Sequence, residues 1–180
     1  QQYSYNWPIP NNFAIVKDNL RIKVSDATNV NVNDISTASS SVLANFAITH
    51  PVTTDIWVAE NTHTIQWTTP TAGVPTNVKI EYNTGSGWST IQENDGTAND
   101  GIVPNAGAKS WLLPTQRSLA AKIRISDPND ANSVVESDPF KIRGDLTATS
   151  PTLGSEAWVV MTLNNITWTK KGNISAVNLQ

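Results

Sequence analysis

The sequence predicts an all-β protein made of tandem antiparallel β-sandwich repeats, and three observations carry that expectation. Similar blocks recur about 100 residues apart, apolar residues alternate with polar ones, and turn-forming clusters separate the alternating runs.

The repeat sets the organisation. Trp7-Pro8-Ile9-Pro10 aligns with Trp111-Leu112-Leu113-Pro114 at an offset of 104. Leu20-Arg21-Ile22-Lys23-Val24-Ser25-Asp26 aligns with Ala121-Lys122-Ile123-Arg124-Ile125-Ser126-Asp127 at 101, and Thr49-His50-Pro51 with Thr149-Ser150-Pro151 at 100. Trp57 and Trp67 match Trp158 and Trp168 at 101, and Val78-Lys79-Ile80-Glu81 matches Val177-Asn178-Leu179-Gln180 at 99. A period near 100 residues is that of an immunoglobulin-type sandwich. The phase makes residues 1–47 the C-terminal half of one repeat, 48–146 a complete repeat, and 147–180 the N-terminal half of a third. Half a sandwich leaves a sheet edge and a core face bare, so the polypeptide is expected to continue beyond Gln1 and Gln180. The rival arrangement joins the tail of one copy to the head of the next.

Within the complete repeat, Ile65 and Trp67 alternate with Thr64, Gln66 and Thr68. Val78, Ile80 and Tyr82 do so with Lys79 and Glu81, Ile123 and Ile125 with Lys122 and Arg124, and Phe140 and Ile142 with Lys141 and Arg143. A period of two with one apolar face means strands packed on one side. Trp67, Val78, Ile80, Ile123, Ile125 and Phe140 are therefore the expected core. Asn83-Thr84-Gly85-Ser86-Gly87 and Asp127-Pro128-Asn129-Asp130 are turn signals, and no segment sustains a helical period. Almost no spacer precedes Pro51, whereas Arg143 to Ser150 reads as a polar linker, so the second junction is expected to be the looser.

Composition narrows the function. A net charge of −3 gives no basic footprint for nucleic acid or an anionic membrane, and no apolar run is long enough for a membrane span. There is no cysteine, hence no disulfide and no thiolate chemistry. Charged residues make up 15 %, with Ser, Thr and Asn supplying most polar positions, which suits a hydrated surface outside the cell. A secreted or cell-surface location is expected.

The spacing Pro51, Trp57, Ile65, Trp67, Val78 to Tyr82, Gly87-Trp88 and Trp111 resembles the immunoglobulin-like repeats of secreted bacterial surface proteins. These are related to the module of the fungal Kre/Knh cell-wall glucan-assembly family. Ser137-Asp138-Pro139-Phe140-Lys141-Ile142 is similar to the last hairpin of those repeats. The resemblance implies a fold and an extracellular setting rather than a chemistry.

Seven tryptophans suggest a sugar-stacking platform, but six recur with the repeat and are explained first as core anchors. Trp88, beside a Gly-rich turn, is the remaining candidate ligand platform. The loop from Glu93 to Gly101 supplies the calcium candidates Asp95, Asn99 and Asp100, although its spacing is not that of an EF-hand. Asp26 and Asp127 read as turn caps. Asn165-Ile166-Thr167 and Asn173-Ile174-Ser175 are glycosylation sequons. His50 and His63 lie in no metal-ligand spacing, and Asp55 with Glu60 or Glu93 with Asp95 are the carboxylate pairs that could be imagined for a glycosidase, which small sandwiches rarely set in a cleft. No catalytic residue and no cofactor other than calcium is expected. Arg143-Gly144-Asp145 spells an integrin-type tripeptide, read as coincidence.

Two functions follow. The first is a structural or adhesive module of a surface fibre, sheath or adhesin stalk, with neighbouring repeats or further copies as partners. The alternative is a module recognising cell-wall or environmental glycans.

Overall fold

The computed structural model describes residues 2–10, 17–68, 75–92, 99–151 and 157–180. Among these there are sixteen strands and no helix. They are β1 (Lys17–Leu20), β2 (Lys23–Ser25), β3 (Asn33–Ile35), β4 (Ser40–Val42), β5 (Ala47–His50), β6 (Ile56–Val58), β7 (Thr62–Thr68) and β8 (Asn77–Asn83). There follow β9 (Trp88–Thr90), β10 (Ile102–Pro104), β11 (Ala108–Leu112), β12 (Ser118–Asp127), β13 (Asp130–Glu136), β14 (Phe140–Arg143), β15 (Asp145–Ser150) and β16 (Thr167–Lys171). The fold is all-β with antiparallel sheets; among the described strands only β6 and β14 pair in parallel.

A three-stranded sheet has the order β11-β7-β5. A seven-stranded sheet has the order β10-β8-β12-β14-β6, with β9 also on β8 and β13 on β12. Both sheets send side chains into one core, because alternation gives each strand a single apolar face. Ile65 and Trp67 of β7 meet Val78 and Ile80 of β8, Ile123 and Ile125 of β12, and Phe140 of β14 there. The six residues expected in the core are all buried. The Trp67 indole N–H also donates to Asn105 Oδ1 at 2.7 Å, and Asn105 Nδ2 donates to the Pro75 carbonyl.

The flanking strands repeat this pairing register. β5 faces β7 with Ala47 opposite Thr68, Ile48 opposite Trp67, and a bulge before His50 opposite Gln66. β15 faces β16 with Thr147 opposite Thr169, Ala148 opposite Trp168, and a bulge before Ser150 opposite Thr167. At the other end, Lys23, Val24 and Ser25 oppose Ile35, Asp34 and Asn33, while Arg124, Ile125 and Ser126 oppose Glu136, Val135 and Val134. Even the side-chain brace recurs: the Ile22 N–H donates to Ser36 Oγ at 3.1 Å, and the Ile123 N–H to Ser137 Oγ at 3.0 Å. Glu60 and Met161, also 101 apart, both have positive φ, and the His50–Pro51 and Ser150–Pro151 bonds are both cis.

The segment that reads as a polar linker is instead strand. β14 runs to Arg143 and β15 starts at Asp145, leaving Gly144 alone between them. The threonine-rich run pairs with β16, so its backbone groups are spent in a ladder. Polar contacts then dock the β15–β16 hairpin on the loops that lead into β7 and β12. The Asn173 N–H donates to the Thr115 carbonyl at 2.8 Å, Arg117 Nε donates to Asn173 Oδ1 at 3.0 Å, and Lys171 Nζ reaches Asn61 Oδ1. A Cβ on Gly144 would lie 2.8 Å from both Ile174 Cδ1 and the Lys171 carbonyl, closer than atoms can sit. Gly144→Val is therefore expected to undock the hairpin. Hydrogen exchange at the Gly172 and Asn173 amides should accelerate while Ile80 and Ile123 stay protected; unchanged exchange would show the contact to be dispensable.

Candidate functional site

The most structured polar surface lies on the side of the seven-stranded sheet opposite the core, where β9, β8 and β12 run side by side. The cross-strand register puts Glu81 opposite both Thr90 and Arg124, and Trp88 opposite Asn83. Glu81 is buried although it points away from the core. Arg124 Nε and Nη2 donate to its Oε2 at 2.9 and 2.6 Å, and Lys79 Nζ lies 3.3 Å from its Oε1. Burial by itself raises the Glu81 pKa. The hydrogen bonds from Arg124 and Lys79 outweigh that and hold the carboxylate below its ordinary range.

Trp88 completes the cluster. The Arg124 guanidinium carbon sits 4.4 Å from the centroid of its ring, a cation–π contact that covers one indole face. A stacking platform for sugars needs an open ring, so this contact opposes such a role. A cleft of about 340 Å³ lies beside the cluster, lined by Lys79, Glu81, Arg124, Ser126, Asp127 and Val134 among others. Lys79, Glu81 and Arg124 already pair with one another, and Asp127 holds the Asn129 amide.

Of the other candidates, His50 and Asp55 are brought together, with His50 Nδ1 3.4 Å from Asp55 Oδ2, and the rest are placed singly. Asp100 Oδ1 accepts the Ile102 N–H at 2.9 Å, and the Asn99 carbonyl accepts the Thr90 hydroxyl. Both residues are exposed, and Asp95 and Glu93 lie outside the described residues. Among the described residues no group of three or more His, Asp or Glu side chains is placed to hold a metal ion. Asp26 Oδ1 accepts the Thr28 hydroxyl and the Thr28 and Asn29 amides, which lowers its pKa. Asp127 Oδ1 accepts the Asn129 amide, so both aspartates cap turns. Asp55 Oδ2 takes the Val52 N–H at 2.8 Å, and Glu60 Oε2 takes the Gly172 N–H. Each carboxylate thus holds backbone.

His63 stacks on Trp57 with centroids 4.8 Å apart and an interplanar angle of 10°. Burial lowers its pKa, and its Nε2 accepts the Val58 N–H at 3.2 Å, which requires a neutral ring. Arg143 and Asp145 of the integrin-type tripeptide pair with each other at 3.2 Å. Both sequon asparagines are exposed, and Asn173 also sits in the hairpin docking contact.

The chain matches no protein-family model and no curated protein. The fold by itself defines the class: an all-β protein of several antiparallel sheets. No helix among the described residues is long and apolar enough to cross a membrane.

Proposed function

We propose that the chain is a run of tandem immunoglobulin-like β-sandwich repeats, without catalytic activity, serving as a structural or adhesive stretch of a cell-surface fibre, sheath or stalk. The observation that carries this reading is the register. Strands flanking the complete unit pair as their counterparts 100 or 101 positions away do, and the bulges of β15–β16 and of β1–β4 recur in β5–β7 and β12–β14. The strand order supports the immunoglobulin likeness. The first, second and fourth main strands, β5, β7 and β11, share one sheet, and the third, fifth and sixth, β8, β12 and β14, lie in the other. What recurs is core and ladder, as a scaffold requires. The one non-recurrent tryptophan is engaged by Arg124.

The short joint at Gly144 and the hydrogen bonds across it suit a stalk, since a restricted joint transmits orientation from unit to unit. Stretching the chain from its two termini tests the reading. Residues 47–143 should give way in one event releasing roughly 330 Å of chain, from the extended length per residue. Release in several small steps would contradict an independent unit. Retention on insoluble cell-wall polysaccharide that disappears in Trp88→Ala would replace the scaffold by a glycan-binding module.

A further inference from the structure

The turn between β6 and β7 is held by a histidine and grips the following hairpin with its middle residues. His63, near the start of β7, reaches back so that its Nε2 accepts the Val58 N–H at 3.2 Å. Its ring lies flat on Trp57, which packs against Phe140 in the core. The three residues after Val58 then meet the Lys171-Gly172 corner one by one. The Ala59 Cβ lies 3.3 Å from the position a Cβ on Gly172 would take. Glu60, with a φ of 61°, turns its Oε2 onto the Gly172 N–H. Asn61 Oδ1 takes the Lys171 ammonium. The same turn is tied to the strand that enters the joint, since the Ala59 N–H donates to the Arg143 carbonyl at 2.9 Å, one residue before Gly144.

We propose that His63 is a proton-operated release for this joint: protonation of its ring loosens the β6–β7 turn and frees the β15–β16 hairpin from Ala59, Glu60 and Asn61. The cause is geometric. A neutral imidazole accepts through Nε2, whereas an imidazolium carries hydrogens on both nitrogens and turns a donor toward the Val58 N–H. The ring is not the part that moves, because an indole face attracts a cation and Trp57 is fixed in the core. The turn yields instead; its left-handed Glu60 persists only while its surroundings hold it. The charges around His63 are few. Asp55 favours the charged ring. Lys109 is the cation on β11, two positions from the Trp111 that pairs with His63. Lys171 and Arg117 stand at the hairpin corner, and β14 brings only Phe140 to the stack. Burial outweighs Asp55, so the undocked chain binds the proton more readily than the docked one. Docking is therefore full above the ordinary histidine range and weakens as pH falls through it. The proposal deepens the stalk reading, since acid would then change how orientation passes between units, and the two fail separately. Gly172 protection that ignores pH in a chain whose residues 47–143 unfold in one event overturns the release alone. Stepwise unfolding overturns the stalk reading and leaves the release to be measured.

NMR of the 180-residue chain between roughly pH 8 and pH 5, where histidine changes charge, is the test. It reads the His63 ring and the amide protection, corrected for the intrinsic pH dependence of exchange. The expected result is a several-fold loss of protection at Gly172 that follows the His63 titration while Ile80 and Ile123 stay protected. His63→Gln should hold the Gly172 protection constant, because a neutral amide oxygen still accepts from Val58. His50→Gln should leave the loss in place, which separates His63 from the other histidine that contacts Asp55. A His63→Gln chain unprotected at Gly172 at every pH has a disordered turn. The decision then rests on whether the Gly172 loss and the His63 ring share one midpoint in the unsubstituted chain. Flat protection while His63 titrates, separate midpoints, a pH-dependent loss that persists in His63→Gln or vanishes in His50→Gln, or a loss shared equally by Ile80 overturns the proposal.

Discussion

Trp67→Ala should lower the stability of the complete unit by roughly 3–5 kcal/mol, whereas Trp168→Ala at the equivalent position should cost it under about 1 kcal/mol. Trp67 is 3 % exposed and Trp168 39 %. Truncating the first leaves a void between the two sheets that surrounding strands cannot collapse into, because β7 is held on both sides by β5 and β11. It also strips Asn105 Oδ1 of its indole donor while Asn105 Nδ2 remains tied to Pro75. Trp67→Phe keeps most of the volume and should cost about 1–2 kcal/mol, the loss of that hydrogen bond and a little packing. Denaturant melts followed by tryptophan emission at low protein concentration measure all three. Equal costs at positions 67 and 168 would mean that burial in the complete unit does not set the difference.

That contrast also shows which levels of structure the sequence reveals. Ile65 and Trp67, or Ile123 and Ile125, announce a strand face because period-two alternation is a local property of the chain. Their common core follows, since an all-β chain has no other place to put that many large apolar groups. The repeat adds phase, which assigns Trp57, Trp67 and Trp111 to the core before any coordinate is known, but it assigns Trp7, Trp158 and Trp168 there too, and these three are exposed because no second sheet covers them here. Lateral facts are harder. That Glu81 faces Arg124 depends on the register of β8 against β12, which are separated by the whole stretch through β9, β10 and β11. In sequence both look like solvated strand charges. Arg143 to Ser150 misleads for a related reason. Glycine, aspartate and threonines read as a linker until β16 supplies the partner that turns them into a strand. The docking of Asn173 on Thr115 and Arg117 is likewise invisible, because a sequon and a structural asparagine have the same letters.

Glu81→Ala should cost roughly 2 kcal/mol, the range for removing a largely buried, charge-assisted hydrogen-bond acceptor. The loss has two parts. Two strong bonds from Arg124 disappear, and Arg124 and Lys79 are left as like charges flanking a space that water only partly reaches. Arg124 should then swing away from Trp88, so the Trp88 emission changes together with stability. Acid should act in the same direction. The folded-state pKa of Glu81 lies below its ordinary value, so the unfolded chain binds the proton more readily. The stabilisation is complete above the ordinary glutamate range and is lost as pH falls through the lowered folded-state value. His63 adds to this trend at higher pH. Its folded-state pKa is lowered, so the neutral ring costs nothing above the ordinary histidine value and increasingly destabilises the fold below it. Stability measured from pH 8 downward should therefore decline in two stages, the first removed by His63→Gln and the second by Glu81→Gln. Glu81→Gln should retain part of the neutral-pH stability, since an amide oxygen still accepts from Arg124. A second stage that survives in Glu81→Gln would show that other carboxylates dominate acid unfolding and that the Arg124–Glu81–Lys79 cluster is not what ties β8 to β12.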